Sequence, residues 1–350
     1  MAIVTIVGAG MMGTAMCWPL VDNGHVVRLV GTPLDQDAIL SIRDTNVHPN
    51  LAREVPSGVT AYQVDELATA VSDADFIING VSSFGIDWFA EAIGPHLRPE
   101  VPVLSVTKGL EDDADGNLVT LPVALDRKLA PARRGSIRFS AIGGPCIAHE
   151  LAARRHTAVV FTGVDAATLQ VWRDLLSTAS YHVWTSTDVT GIEVCAAMKN
   201  AYALGVSLAV GQMEAMGPDG HANAYNPQAA LVGQSCFEMR RLIEILGGDP
   251  GQVHWLPGAG DLFVTVFGGR TARLGKMLGM GMPFEEARDE FAGVTLESVE
   301  VTTRVARALR RLEERGLARA ADFPLLLHLD RILNHGEPVN IPWASFFRRG

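Results

Sequence analysis

The stretch VTIVGAGMMGTAM, residues 4–16, sets Gly8, Gly10 and Gly13 at GxGxxG spacing, directly after a short apolar run and directly before an amphipathic segment. Few folds accommodate that order. The first glycine makes a tight turn at the end of a strand, the second lets backbone approach a pyrophosphate, and the third lets helix and strand pack closely with the helix N-terminus toward the anion. The spacing alone is weak; its strand–turn–helix setting makes it read as a dinucleotide loop rather than a glycine-rich turn without a ligand.

Sorting NAD from NADP falls to residues about 20 positions on, where an acid grips the ribose 2′-hydroxyl and an Arg suits a 2′-phosphate. Here that region reads RLVGTPLDQ, residues 28–36. Gly31 and Thr32 at the tip are neither, Arg28 lies inside the strand and Asp35 comes slightly late. The expected cofactor is therefore NAD or NADP, with Asp35 leaning toward NAD.

Beyond the loop, short β-branched runs alternate with helical stretches. Strands are expected at 3–7, 26–30, 76–79, 103–106, 138–142 and 158–162, with helices such as 14–23 and 65–71 between them, a rhythm of parallel βαβ units in a doubly wound sheet. From about Gly191 the apolar residues recur at helical spacing instead, in segments 193–213, 228–246, 272–279, 284–291, 298–315 and 324–333. The expected fold is α/β: a Rossmann-type, mostly parallel sheet over residues 1–190, then an all-helical substrate and catalytic domain over 191–350. TSTDVT, residues 185–190, marks the boundary.

Composition narrows the partners. A formal charge of −10 over 350 residues argues against nucleic acid and anionic membranes, which select basic faces, yet leaves room for a small anion bound by clustered basic groups. Cys17, Cys146, Cys195 and Cys236 show neither zinc-ligand spacing nor a disulfide framework, so no metal site is expected and a reducing cytoplasm fits. The apolar N-terminus lacks a basic leader and reads as a buried strand, not a signal peptide. The most membrane-like stretch, 194–213, carries Lys199, Asn200 and Gln212, against a lipid-facing span.

Two lysines stand in informative company. Lys108, in LSVTKGLEDD, ends a strand just before Gly109, where open parallel sheets collect ligands, although a strand-end lysine is more often a solvated charge. Lys199 is the only charged residue between Glu193 and Glu214 in a segment apolar nearly all round. Such a lysine either joins a buried ion pair or has its pKa lowered by desolvation, as proton exchange near neutrality requires. Asn200 adds a group that both donates and accepts. In GAGDLFVTVFGGRT, residues 258–271, Asp261 sits among apolar neighbours and demands a cation, for which Lys199 is the natural candidate. Gly268 and Gly269 open the backbone beside Arg270, suiting bidentate capture of a phosphate or carboxylate, and Thr265 and Thr271 add hydroxyls. A helix-capping Asp and a surface Arg in a turn are the alternative.

Taken together, GAGMMGTA, TKGLE, GGPCIAHEL, GIEVCAAMKNAYALGVS and GAGDLFVTVFGGRT resemble, in this order, motifs of the NAD(P)-dependent glycerol-3-phosphate dehydrogenase family, over essentially the whole chain. The resemblance implies a 6-phosphogluconate-dehydrogenase-like fold and hydride transfer between nicotinamide C4 and C2 of glycerol 3-phosphate or dihydroxyacetone phosphate. It implies Lys199 as general acid/base, Lys108 polarising the substrate oxygen and Asp261 orienting Lys199. Asn200, Thr265, Arg270 and Thr271 would hold substrate, and Gly8, Gly10, Met11, Met12, Gly13, Lys108, Ala148, Arg270 and Glu297 would lie against the cofactor. A cytoplasmic homodimer acting on a small phosphorylated substrate is the implied form.

The chain departs from the family pattern in places. Thr271 stands where an Asn usually follows the Arg, Cys146 replaces a Ser, and NGVSS at 79–83 lacks a common proline. The segment 217–231 is longer than the usual connection and could cap the substrate site. A related polyol, sugar acid or other phosphorylated alcohol is therefore the alternative substrate, and a dinucleotide sensor without turnover the alternative function.

Overall fold

The computed structural model describes residues 1–113, 115–217 and 224–348. Residues 218–223, within the long connection at 217–231, lie outside the described residues. The chain divides into two compact units, residues 1–108 with 121–189, and residues 109–120 with 190–350.

The first unit is built on strands β1 (Ile3–Val7), β2 (Val26–Val30), β5 (Val59–Tyr62), β6 (Phe76–Asn79), β7 (Val103–Ser105), β10 (Phe139–Gly143), β11 (Thr157–Gly163) and β12 (Tyr181–Ser186). A small hairpin, β3 (Val47–His48) and β4 (Arg53–Glu54), stands apart from them. The eight strands form one sheet in the order β12-β11-β10-β7-β6-β1-β2-β5, parallel except where β10 meets β11. Central strands are covered on both faces and read as continuous apolar runs: IVTIV in β1 is buried from its second residue on. The strands progress β1, β2, β5 toward one edge and β6, β7, β10 toward the other, so the order reverses beside β1, where such sheets bind ligands.

Strand register places three turns side by side. Val7 pairs with both Val30 and Asn79, so Gly8, Gly31 and Gly80 leave the sheet at one level. The glycine turn lies between the other two.

Several expectations shift. The strand expected at 138–142 runs 139–143, and that at 103–106 ends at Ser105. The helix expected at 14–23 is two short ones, Met11–Ala15 and Cys17–Asp22, because Pro19 has no N–H to continue the ladder from Ala15. VTAY in β5 and YHVWTS in β12 form the two edges of the sheet, where half-exposed strands need less apolar sequence.

In the second unit, Val189–Ala215 and Tyr225–Leu246 are the long helices, with Gly269–Gly279, Glu297–Glu314 and Pro324–His335 around them. Helix Val189–Ala215 is long and apolar enough to cross a membrane, but 89% of its apolar window is buried inside the protein, as a core helix is. Strands β8 (Leu110–Asp112) and β9 (Leu118–Thr120) form a hairpin in this otherwise helical unit. Arg307 holds Asp112 through two hydrogen bonds of 2.7 and 2.6 Å, and Arg315 donates to Asn117 at 2.8 Å. Residues 109–120 accordingly group with the second unit, their partners coming from a helix far along the chain.

Deep in this unit Glu238 accepts from Gln234 Nε2 (2.7 Å), Tyr202 Oη (3.1 Å) and the Leu325 and Leu326 amides (2.7 and 3.0 Å). It thereby satisfies the N-terminus of helix Pro324–His335. Burial outweighs the four donors and pushes its pKa up to about 7. A carboxyl raised on folding contributes stability that is fully present below the unfolded value and lost as pH rises through about 7. Urea unfolding midpoints should accordingly fall as pH rises from the ordinary carboxyl range to about 7 and level off above it, and Glu238→Gln should flatten that slope while lowering stability by about 1–3 kcal/mol, since its amide opposes a donor. An unaltered slope in the variant would assign the pH dependence elsewhere.

Candidate active site

The dinucleotide loop owes its shape to backbone contact. Gly8 has φ +115°, and a Cβ there would lie 2.6 Å from the Gly80 carbonyl carbon. A Cβ on Gly13 would lie 2.1 Å from Gly8 O, so strand end and helix start touch backbone to backbone. Gly10 differs: its conformation is extended, and nothing stands within 4 Å of where a Cβ would be. The protein's own packing does not require glycine there, whereas a pyrophosphate approaching the first turn of helix Met11–Ala15 does. The residues thus fit a dinucleotide.

Around this loop lie the other expected residues of the first unit. Ala148 begins helix Ala148–Ala152, which packs on helix Met11–Ala15, and Cys146 Sγ lies 4.0 Å from Met12 Sδ. Lys108 follows β7, and its Nζ donates to Gly144 O at 3.0 Å. The turn before it is braced by Asn79, fully buried, which donates to Ser105 Oγ (3.1 Å) and Thr107 Oγ1 (3.3 Å), while Thr107 donates to Val81 O (2.7 Å). Sequence reasoning passed over Asn79 and Gly80. The signal was present, because an Asn closing the apolar run FIIN must find partners inside.

The second unit brings Lys199, Asp261 and Thr265 together. Lys199 Nζ lies 2.7 Å from Asp261 Oδ1 and donates to Thr265 Oγ1 at 3.0 Å, and Thr265 Oγ1 donates to Asp261 O at 2.6 Å. Asp261 is 1% exposed and Lys199 13%. The pair answers the demand for a cation, and its geometry leaves an amine oriented by a carboxylate in apolar surroundings. Asp261 opens helix Asp261–Val266 after a wide turn, Leu256–Gly260, whose Gly258 lies against the Val253 backbone. One residue on from Lys199, Asn200 donates to Glu297 Oε2 at 3.3 Å, joining an expected substrate residue to an expected cofactor residue.

Arg270 and Thr271 lie in the first turn of helix Gly269–Gly279. Arg270 is exposed, and among the described residues it has no ion-pair partner. The helix is set against Val189–Ala215 by glycines: Cβ atoms on Gly275 and Gly279 would lie 2.5 and 2.2 Å from the Leu204 and Leu208 carbonyl oxygens, and one on Gly211 would lie 2.0 Å from Lys276 O. Glycines four apart share one helix face, so GKMLG is the device that draws the Arg270 helix onto the Lys199 helix. Sequence reasoning did not use that repeat.

The chain is similar to known proteins over most of its length. The N-terminal profile of NAD-dependent glycerol-3-phosphate dehydrogenase matches residues 3–168 and the C-terminal profile of the same family matches 188–343. An NADP(+)-dependent glycerol-3-phosphate dehydrogenase of Archaeoglobus fulgidus is 34% identical over 98% of this chain and 99% of that protein. A glycerol-3-phosphate dehydrogenase [NAD(P)+] of Klebsiella pneumoniae is 31% identical over 89% and 87%. Among solved structures, the glycerol-3-phosphate dehydrogenase of Coxiella burnetii has a TM-score of 0.80 at 25% identity, covering 98% of this chain and 97% of its own.

Proposed function

Because the chain belongs to the NAD-dependent glycerol-3-phosphate dehydrogenase family, we propose that it interconverts sn-glycerol 3-phosphate and dihydroxyacetone phosphate with NAD or NADP. The observation that carries the reading is the Lys199–Asp261 pair, 2.7 Å long, which joins a lysine on an apolar helix to a buried carboxylate. Bound at the glycine loop, the dinucleotide supplies or accepts the hydride.

The chain's own residues manage the proton and the far end of the substrate. Lys199 exchanges a proton with the C2 oxygen, and Asp261 with Thr265 fixes its direction. Lys108 is assigned to polarising the same oxygen. Asn200 is assigned to a substrate hydroxyl, with Glu297 fixing its amide. Arg270 and Thr271, at an open helix start, hold the phosphate, whose binding energy orients the reacting carbon. A cytoplasmic homodimer belongs to the same proposal; four cysteines spaced neither as zinc ligands nor as a disulfide framework support a reducing compartment, and sedimentation would test the assembly.

The test follows absorbance of NADH and NADPH in parallel, with dihydroxyacetone phosphate offered beside dihydroxyacetone. Oxidation that depends on the phosphate ester is the expected result. Turnover of another polyol or sugar acid in its place would move the assignment to the alternative substrate class. Arg270→Ala should raise KM for dihydroxyacetone phosphate roughly 10–100-fold, the loss of a charge-assisted bidentate contact. It should leave the unphosphorylated ketone nearly unaffected; equal losses on both would take the phosphate away from Arg270.

A further inference from the structure

Ala9, the residue at the centre of the glycine loop, is gripped through both of its flanking peptides. Ala9 N–H donates to Asp35 Oδ2 at 3.1 Å, and Ala9 O accepts from His48 Nε2 at 2.8 Å. The same Asp35 oxygen accepts from the Thr32 amide (2.9 Å) and the Thr32 hydroxyl (2.7 Å). His48 is wholly buried, and its Nδ1 accepts from the Leu51 amide at 3.1 Å. A carbonyl on one ring nitrogen and an N–H on the other leave a single arrangement, the neutral ring protonated at Nε2.

The segment bringing His48 to the loop is itself pinned. Asn46, in the left-handed region at φ 58°, donates through Nδ2 to Val55 O (2.9 Å) and accepts the Val55 amide (2.8 Å), closing the β3–β4 hairpin. Leu51 and Val55 are buried in the core cluster that contains Ala9. The β3–β4 hairpin does not pair with the eight-stranded sheet. The polar side chains of Asp35 and His48 converge on one residue of the turn.

We infer that Asp35 and His48 are positioning residues that hold the Gly8–Ala9–Gly10 peptides in the form a dinucleotide pyrophosphate requires, and that Asp35 serves this clamp instead of choosing between NAD and NADP. The inference rests on the dinucleotide reading of the loop. It also replaces the lean toward NAD: the acid after β2 has its Oδ2 committed to three donors, one in the glycine loop and two in its own turn.

Fluorescence titration of NADH and of NADPH, beside urea unfolding, tests it with three variants. Gln places an amide N–H near the Nε2 position of His, and Asn places an amide near Nδ1. His48→Gln should keep both dissociation constants within about threefold, whereas His48→Asn should weaken both about tenfold, one hydrogen bond's worth. Losses that are alike in the two variants, or that track their unfolding midpoints, would overturn the positioning role. Asp35→Asn reads the other side of the clamp independently of His48: both dinucleotides should weaken together, their ratio holding within about twofold. A ratio shifted tenfold would overturn the inference by giving Asp35 to the ribose. Wild-type protein that binds neither dinucleotide would overturn the underlying reading and this inference with it, a failure seen without any variant.

Discussion

Lys199→Ala is expected to lower kcat for dihydroxyacetone phosphate by roughly 10²–10⁴-fold, the range general acid–base groups supply, while NADH still titrates the first unit with near-normal affinity. The variant also strands Asp261, 1% exposed, without its cation. An unpaired buried carboxylate destabilises by about 3–5 kcal/mol, so the unfolding midpoint should drop as well. The two effects separate in the double variant Lys199→Ala/Asp261→Asn, in which the buried group is neutral. Stability should return in large part and activity should not. Recovery of both, or an unchanged kcat in the single variant, would end the acid/base assignment of Lys199.

Gly13→Ala is the second large effect. A methyl group 2.1 Å from Gly8 O cannot be accommodated by turning a side chain, because both sides of the contact are backbone. Helix and strand must part by on the order of 1 Å, which moves the N–H groups at the helix start off the pyrophosphate and costs about two hydrogen bonds, roughly 10²-fold in affinity. Dinucleotide affinity should fall by that order while circular dichroism keeps its helical signal. Gly10→Ala is the informative contrast. The free protein has room for it, so stability should hold and only affinity should fall; unaltered affinity would mean that no ligand passes over Gly10.

These contrasts also show what could be read from the chain. GAGMMG was legible because the turn demands glycine at Gly8 and Gly13, and the Lys199 helix because one cation among apolar residues has few explanations. Asp261 was legible by its cost: a carboxylate inside needs a cation, and the structure supplies Lys199 at 2.7 Å. The clamp on Ala9 was not, since Asp35 and His48 lie 26 and 39 residues from the residue they hold and meet it only when the sheet has formed. The same holds for Asn79, whose partners Ser105 and Thr107 sit on the neighbouring strand and the turn after it. The edge strands were missed for want of apolar pattern, and the hairpin at 110–120 because its anchors, Arg307 and Arg315, come nearly 200 residues later. Local rules read local constraints; register and long-range ion pairs are decided in three dimensions.

That hairpin sets a timetable for the nascent chain. Asp112 and the Arg307 that grips it are separated by 195 residues, and a ribosome adding roughly 5–20 residues per second needs about 10–40 s to deliver the second after the first. During that interval residues 121–189 emerge and can complete the sheet, while the twelve residues before them wait outside it as a two-stranded ribbon too small to be stable alone. Synthesis of the last third of the chain, not of the hairpin itself, ends the wait.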